Sequence, residues 1–142
     1  MSMPAHEVVL SFVEKINQGD LTGIEALLAP DHTVIDLAGD VTFGAKVMVR
    51  GWREYLSEYP DYEIYVRQAY KSGDRVILIG HTTGSHLDLP EVVEFHTEGV
   101  IWLSEVSEGK VSTWKLLEDT QENYETLKLK DFKKLFIPAF YA

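Results

Sequence analysis

RVILIGHTTGSHLDLP, residues 75–90, is the stretch whose reading decides the fold. Val76 to Ile79 is apolar and mostly β-branched, the mark of a buried strand. The second half puts Gly80, His81, Thr82, Thr83, Gly84, Ser85 and His86 where a sheet normally packs side chains. Strand side chains alternate between faces, so parity sorts them. Val76, Leu78, Gly80, Thr82, Gly84 and His86 share one face, and His81 looks the other way. The glycines are read either as a bend or as space on a face that lines a cavity, and the pairing considered next favours space.

The next strand, EFHTEGVIWLSEV (94–106), carries His96, Glu98 and Trp102 on its even face. Pairing His86 with His96 sets Gly80 opposite Trp102 and Gly84 opposite Glu98, and a glycine facing a bulky side chain leaves volume. A slip by one residue would reverse the faces. The following turn, Ser107-Glu108-Gly109, suits a three-residue hairpin with Gly109 left-handed. Trp102 then faces Trp114, and Glu98 faces Glu118. A two-residue Glu108-Gly109 turn would bring Thr113, Lys115 and Asp119 to that face instead.

The N-terminal half reads as helical. Val9, Phe12, Val13 and Ile16 recur at i, i+3, i+4 and i+7 after Pro4, and Gly19 ends that helix. Asp20 caps a second helix carrying Leu21, Ile24, Leu27 and Leu28, which Pro30 stops. HTVIDLAG is a short strand. A third helix runs from Gly44 to Pro60 with Met48, Trp52, Tyr55, Leu56 and Tyr59 on its stripe. YEIYVRQAY and KVSTWKLLE complete four consecutive strands divided by turn residues. Helices followed by an antiparallel meander give an α+β domain. Residues 120–136 read as a further helix with Tyr124, Leu127, Phe132, Leu135 and Phe136 available for burial.

The chain has 142 residues and a net charge of −10. A phosphate backbone or an anionic membrane surface is repelled by that charge, and no Lys/Arg stripe offsets it. The chain contains no cysteine, which excludes thiol catalysis, disulfides and Cys-based zinc sites. MSMPAHEVVL lacks the basic and apolar segments of a signal peptide, and no apolar run reaches membrane-spanning length. A soluble, cytoplasmic, single-domain protein spanning 1–142 is expected, with 128–142 as a C-terminal extension.

Four stretches, in order, resemble one family. They are VEKINQGDLTGIEALLAPDHTVID, GWREYLSEYPDYEIYV, TTGSHLDL and EGKVSTW. Their order and spacing are similar to the SnoaL-like, polyketide cyclase-like branch of the nuclear transport factor 2-like superfamily. The resemblance implies a cone-shaped α+β barrel: a strongly curved, mostly antiparallel sheet wraps N-terminal helices and leaves a cavity on its concave side. It also implies a homodimer through the convex sheet face. Members of that superfamily include cyclases, isomerases, dehydratases and non-enzymatic binding modules, so the fold alone names no reaction.

Within that frame, the segment around Asp36 resembles the one holding the general base of ketosteroid isomerases. Two positions depart from that pattern. Phe12 and Trp102 stand where those enzymes place a tyrosine and an acid, and losing such oxyanion donors costs about 2.7–4 kcal/mol each. Steroid isomerisation is therefore not expected. The expected catalytic set is Asp36, His86, His96 and Glu98, with His86 or His96 stabilising an oxyanion. Phe12, Trp52, Thr82, Trp102, Trp114 and Glu118 are expected at the pocket. Two histidines and Glu98 suit a metal chemically, yet no metal or cofactor is expected. The expected partner is a small apolar or amphipathic organic molecule. Two readings stand: a cofactor-free acid–base enzyme (cyclase, isomerase or dehydratase), and a non-catalytic ligand-binding or dimerisation module.

Overall fold

The first helix, α1 (Ala5–Gln18), buries Val8, Val9, Phe12, Val13 and Ile16 along one stripe. Gly19 ends it in the left-handed region at φ 68°, a conformation glycine adopts without a Cβ penalty. Asp20 then caps α2 (Leu21–Leu27) by accepting from the Gly23 N–H at 2.9 Å. The computed structural model describes residues 3–86 and 99–137. Next come β1 (Leu28–Ile35), β2 (Val41–Phe43), α3 (Ala45–Glu58), β3 (Glu63–Ser72) and β4 (Arg75–Thr83). They are followed by β5 (Gly99–Ser107), β6 (Lys110–Glu118), α4 (Gln121–Thr126), a 3-10 turn at Leu129–Asp131, and β7 (Lys133–Leu135).

The seven strands form one sheet in the order β2-β1-β6-β5-β4-β3-β7. Among the described residues only β1 and β6 run parallel. The architecture is the expected α+β, with the sheet open rather than closed. Even-numbered residues of β4 to β6 face the helices: Val76, Leu78, Val100, Trp102 and Trp114 join Phe12 and Trp52 in one core. Odd-numbered Ile77, Ile79, Ile101 and Leu103 form a second cluster on the opposite face, under Tyr124, Leu127, Leu129 and Phe132. No helix among the described residues is long and apolar enough to cross a membrane.

The expected registers are corrected by two residues. Leu78, not Gly80, faces Trp102, and Gly80 faces Val100. Across the next hairpin Trp102 faces Leu116, and Trp114 faces Ser104. The turn is the two-residue one: Glu108 and Gly109 both have positive φ, 51° and 76°, as a type I′ turn requires. A bulge between Glu105 and Val106 absorbs one residue, so the even face is kept. Ser112 marks it, its hydroxyl donating to the Glu105 carbonyl at 3.1 Å.

The glycines of the opening stretch do not make room for a cavity. A Cβ on Gly80 would collide with the Tyr65 carbonyl oxygen and sit 3.1 Å from Val66 Cα. Gly80 lies beside a bulge in β3, where the pairing shifts between Val66 and Gln68. Its missing side chain lets the bulged strand close in, and bulges bend and twist sheets. Gly84 is similar: at φ 67°, a Cβ there would be 2.5 Å from the Asp61 carbonyl oxygen. The bend is the correct explanation.

Two further expectations change. Pro30 lies inside β1, where pairing with β6 is irregular between Leu28 and Thr33. His32 serves that interruption: its Nδ1–H donates to the Val111 carbonyl at 2.8 Å. The C-terminal segment is broken into a short helix, a turn and a strand that adds to β3, rather than one helix. Phe136 is 95% exposed instead of buried.

Two measurements test these assignments. Gly80→Ala is expected to lose about 3 kcal/mol, the upper end for overpacking, whereas Gly51→Ala, whose Cβ would meet only the Met48 methyl at 4.0 Å on α3, gains about 0.5–1 kcal/mol. Urea denaturation of both variants checks this, and an unchanged Gly80→Ala midpoint would refute the close approach. His32 is fully buried, and burial lowers its pKa below 6.5 against weaker opposing effects of the Val111 carbonyl and Asp31. The unfolded chain then binds a proton that the folded chain resists. His32 therefore leaves stability untouched above about pH 6.5 and subtracts from it as pH falls below. The slope approaches about 1.4 kcal/mol per pH unit. His32→Gln should lose that component when the stability of both proteins is compared between pH 7 and pH 5.

Candidate functional site

Parity and helical spacing bring three elements to one concavity. On α3, Met48, Trp52 and Tyr55 stand at i, i+4 and i+7, so they share a face. On β1 and β6, Val34 pairs with Trp114, which sets Val34 and Asp36 beside Trp114 and Leu116 on the concave face. Tyr62, before β3, and His86, after β4, complete the wall. These residues enclose a cavity of about 330 Å³. Its size falls at the lower end of small-molecule pockets, and its mostly aromatic and aliphatic lining has few polar groups.

Phe12 fixes this arrangement from beneath. Its ring meets Trp114 edge-on at 5.1 Å and Trp52 edge-on at 6.5 Å. Trp102 stacks on Trp114 at 6.2 Å. Both Phe12 and Trp102 are buried behind the wall, so they support the cavity instead of lining it. His32 lies on the same level, 6.2 Å from Phe12. With its Nδ1–H given to Val111, its Nε2 is a buried acceptor with no partner among the described residues.

The polar groups of the wall are few. Tyr55 and His86 form a dyad: the phenol oxygen is 2.9 Å from Nδ1 and accepts the His86 backbone N–H at 3.1 Å. In the tautomer where the phenol donates to Nδ1, the ring proton sits on Nε2. That leaves His86 a donor besides the Tyr55 contact. Asp36 begins the β1–β2 turn. Its Oδ1 accepts the backbone N–H groups of Ala38 at 3.0 Å and Asp40 at 2.9 Å. Asp36 is exposed at the rim, and Oδ2 remains for another donor. Trp52 is 9% exposed, and its Nε1–H has no acceptor among the described residues. An unsatisfied buried donor costs about 1–3 kcal/mol.

The structure thus brings together Asp36, His86, Trp52 and Trp114 from the expected set. It does not bring Thr82, which is buried opposite Ile64. Glu118 is exposed at the end of β6 opposite Val100 and is also outside the cavity wall. His96 and Glu98 lie outside the described residues. His81 sits on the other face of β4, its ring stacked on Tyr65 at 5.0 Å. Tyr55 and Tyr62 were absent from the expected site. Tyr55 was visible as part of the α3 stripe, and its one-face spacing with Trp52 was the available signal. A larger concavity of about 710 Å³ lies on the convex side beside Tyr70, Tyr124 and Phe132. Among the described residues its wall has no histidine, although it holds Glu125, Lys128 and Lys130; the hydrogen-bonded Tyr55–His86 dyad is what distinguishes the smaller one. Among the described residues no three His, Cys, Asp or Glu side chains group as metal ligands.

Comparison with known proteins agrees with this architecture. No curated protein matches the chain. An uncharacterised cystatin-fold protein from Novosphingobium aromaticivorans superposes with a TM-score of 0.70 at 18% identity, covering 82% of this chain and 100% of that one. A candidate polyketide cyclase from Sinorhizobium meliloti gives 0.64 at 15% identity, covering 78% and 93%. A candidate ketosteroid isomerase from Kribbella flavida gives 0.60 at 18% identity, covering 82% and 78%. At these identities the likeness is one of fold. Residues 9–114 match the model of the SnoaL-like domain, and with the bent sheet and its concave cavity this chain belongs to the SnoaL-like family.

Proposed function

We propose that the concave cavity binds a small, partly apolar organic molecule and moves a proton on it without a cofactor. The observation that carries this reading is the sharing of one aromatic wall by Asp36 and the Tyr55–His86 dyad. His86 would present Nε2–H to an oxygen of the bound molecule, with Tyr55 fixing the ring. The free oxygen of Asp36 would take a proton from an adjacent carbon. Such paired acid–base action suits aldol-type cyclisation, dehydration or isomerisation. The likeness to a candidate polyketide cyclase and a candidate isomerase supports the same reaction classes.

A non-catalytic binding module is the second reading, and one observation favours it. Asp36 Oδ1 is committed to two backbone N–H groups, as a turn-forming aspartate would be. The two readings share the cavity and differ over Asp36. A second copy of the chain, if it docks on the convex side, would meet α4 and the C-terminal turn there, because these cover the apolar strip of β4 and β5.

His86→Gln and Asp36→Asn separate the readings. In a screen for proton exchange or dehydration of small ketones and β-hydroxyketones, each variant is expected to lose about 10²–10⁴-fold in rate, the usual contribution of a positioned acid or base. Ligand binding followed by fluorescence of Trp52 and Trp114 should survive both changes. Turnover that persists in both variants would remove the acid–base reading and leave the binding module.

A further inference from the structure

The convex concavity beside Tyr70 differs in chemistry from the concave cavity. Its volume of about 710 Å³ lies within the range of small-molecule pockets. Tyr70, Tyr124, Leu129 and Phe132 give it an apolar, largely aromatic floor, and Lys128 and Lys130 stand in its wall. Both phenol protons are already committed, that of Tyr70 to Gln68 at 3.0 Å and that of Tyr124 to Asp119. The lysines are not: both are exposed, and neither forms an ion pair with a described residue. Among the described residues Glu125 is the one carboxylate of the wall, and it accepts from the Gln121 amide at 3.5 Å. Lys134 pairs with Tyr70 across β7 and β3, so its side chain stands on the same face.

The backbone at Lys128 is a second observation. It is left-handed, φ 56° and ψ 48°, a conformation that glycine or asparagine adopts at less cost. Turn hydrogen bonds hold it there: its N–H donates to the Glu125 carbonyl at 3.1 Å, and its carbonyl accepts from the Asp131 N–H at 2.9 Å. What lysine adds over those residues is its ammonium group. Positive charge is also concentrated here. Residues 128–134 hold four of the chain's 13 Lys and Arg side chains against a single acid, Asp131, in a chain of charge −10. We propose that this concavity is a second ligand site, for a small aromatic carboxylate, its ring on Tyr70, Tyr124 and Phe132 and its charge on Lys128 and Lys130. Screening decides for a small anion over a polyanion. Charges interact over about 8 Å at physiological salt. A small ligand therefore meets the lysines, whereas a nucleic acid or an anionic membrane also meets the acidic remainder of the chain. The site is independent of the acid–base reading of the concave cavity.

Three probes of one shape and different charge decide the matter: β-naphthoate, β-naphthylmethanol and β-naphthylmethylamine. Each is titrated into the full chain while ¹H–¹⁵N resonances are followed. The backbone amides of residues 121–132 report this site, and the indoles of Trp52 and Trp114 report the concave cavity. β-Naphthoate is expected to shift the amides from Lys128 to Phe132 and to bind there more tightly than the alcohol, with the amine weakest. Lys128→Gln and Lys130→Gln, both at exposed side chains, should each weaken it about two- to fivefold, the range of an exposed ion pair. Added salt should weaken it further. Equal or tighter binding of the alcohol or the amine at this site would overturn the inference, as would unchanged β-naphthoate affinity in the variant carrying both substitutions. No shift at residues 121–132 from β-naphthoate would also overturn it, and the indole resonances would then judge the concave cavity separately. Shifts of the same amides that grow with protein concentration alone would overturn it in favour of a second copy of the chain seated on this face.

Discussion

Phe12 is the contact on which the rest of the molecule leans. It is fully buried on α1 and meets Trp52 of α3 and Trp114 of β6 in near-perpendicular contacts. Edge-to-face packing of this kind fixes ring orientation as well as distance. One ring thereby sets the spacing between a helix and a strand from different parts of the chain. The gap that remains above it is the cavity. The same fact explains why Phe12 shapes the cavity without lining it.

The fold was largely legible because parity survives errors that register does not. Both expected strand pairings were off by two residues, yet Trp102, Trp114 and Glu118 kept their faces; Val111, before the bulge, did not and joins the concave core. A shift of two preserves alternation, while a shift of one reverses it. The β5–β6 hairpin shows how narrow that margin is. Its two-residue turn would by itself have moved Thr113 and Lys115 to the concave side, and the bulge at Ser112 cancelled the effect. No residue pattern announces such a bulge in advance. The glycines misled for a related reason. Gly80 was weighed against the strand on one side, β5, when its close neighbour is the β3 backbone on the other. A missing side chain signals proximity to something, and the sequence does not say to what.

The site was legible in its walls and less so in its polar groups. Trp52 and Trp114 follow from helical and strand periodicity, whereas His86 reaches the wall from beyond the end of β4, past the left-handed Gly84, where strand parity no longer applies. Tyr55 escaped because a tyrosine on an apolar helix stripe is usually core, and its partnership with His86 spans 31 residues of chain. Thr82, within β4 opposite Ile64, is buried and outside the cavity wall. Glu118 shares the parity of Trp114 but stands at the far end of β6 from it. Face is therefore a necessary condition for joining a site, and position along the strand supplies the rest.

The two faces of the sheet divide the chain's labour. Its convex strip of Ile77, Ile79, Ile101 and Leu103 is covered from within by Tyr124, Leu127, Leu129 and Phe132. Arg75 adds its guanidinium 5.7 Å over the Phe132 ring, which anchors the segment at the start of β4. Burying that strip internally removes the hydrophobic drive for a neighbour to seat directly on the strands. The concave face is treated differently. There the helices stop short of full coverage, and Tyr55, His86 and Asp36 stand where the coverage ends. The chain covers one apolar face with its own C-terminal segment and leaves the other partly open beside Tyr55, His86 and Asp36. The proposed ligand-binding reading draws on that asymmetry.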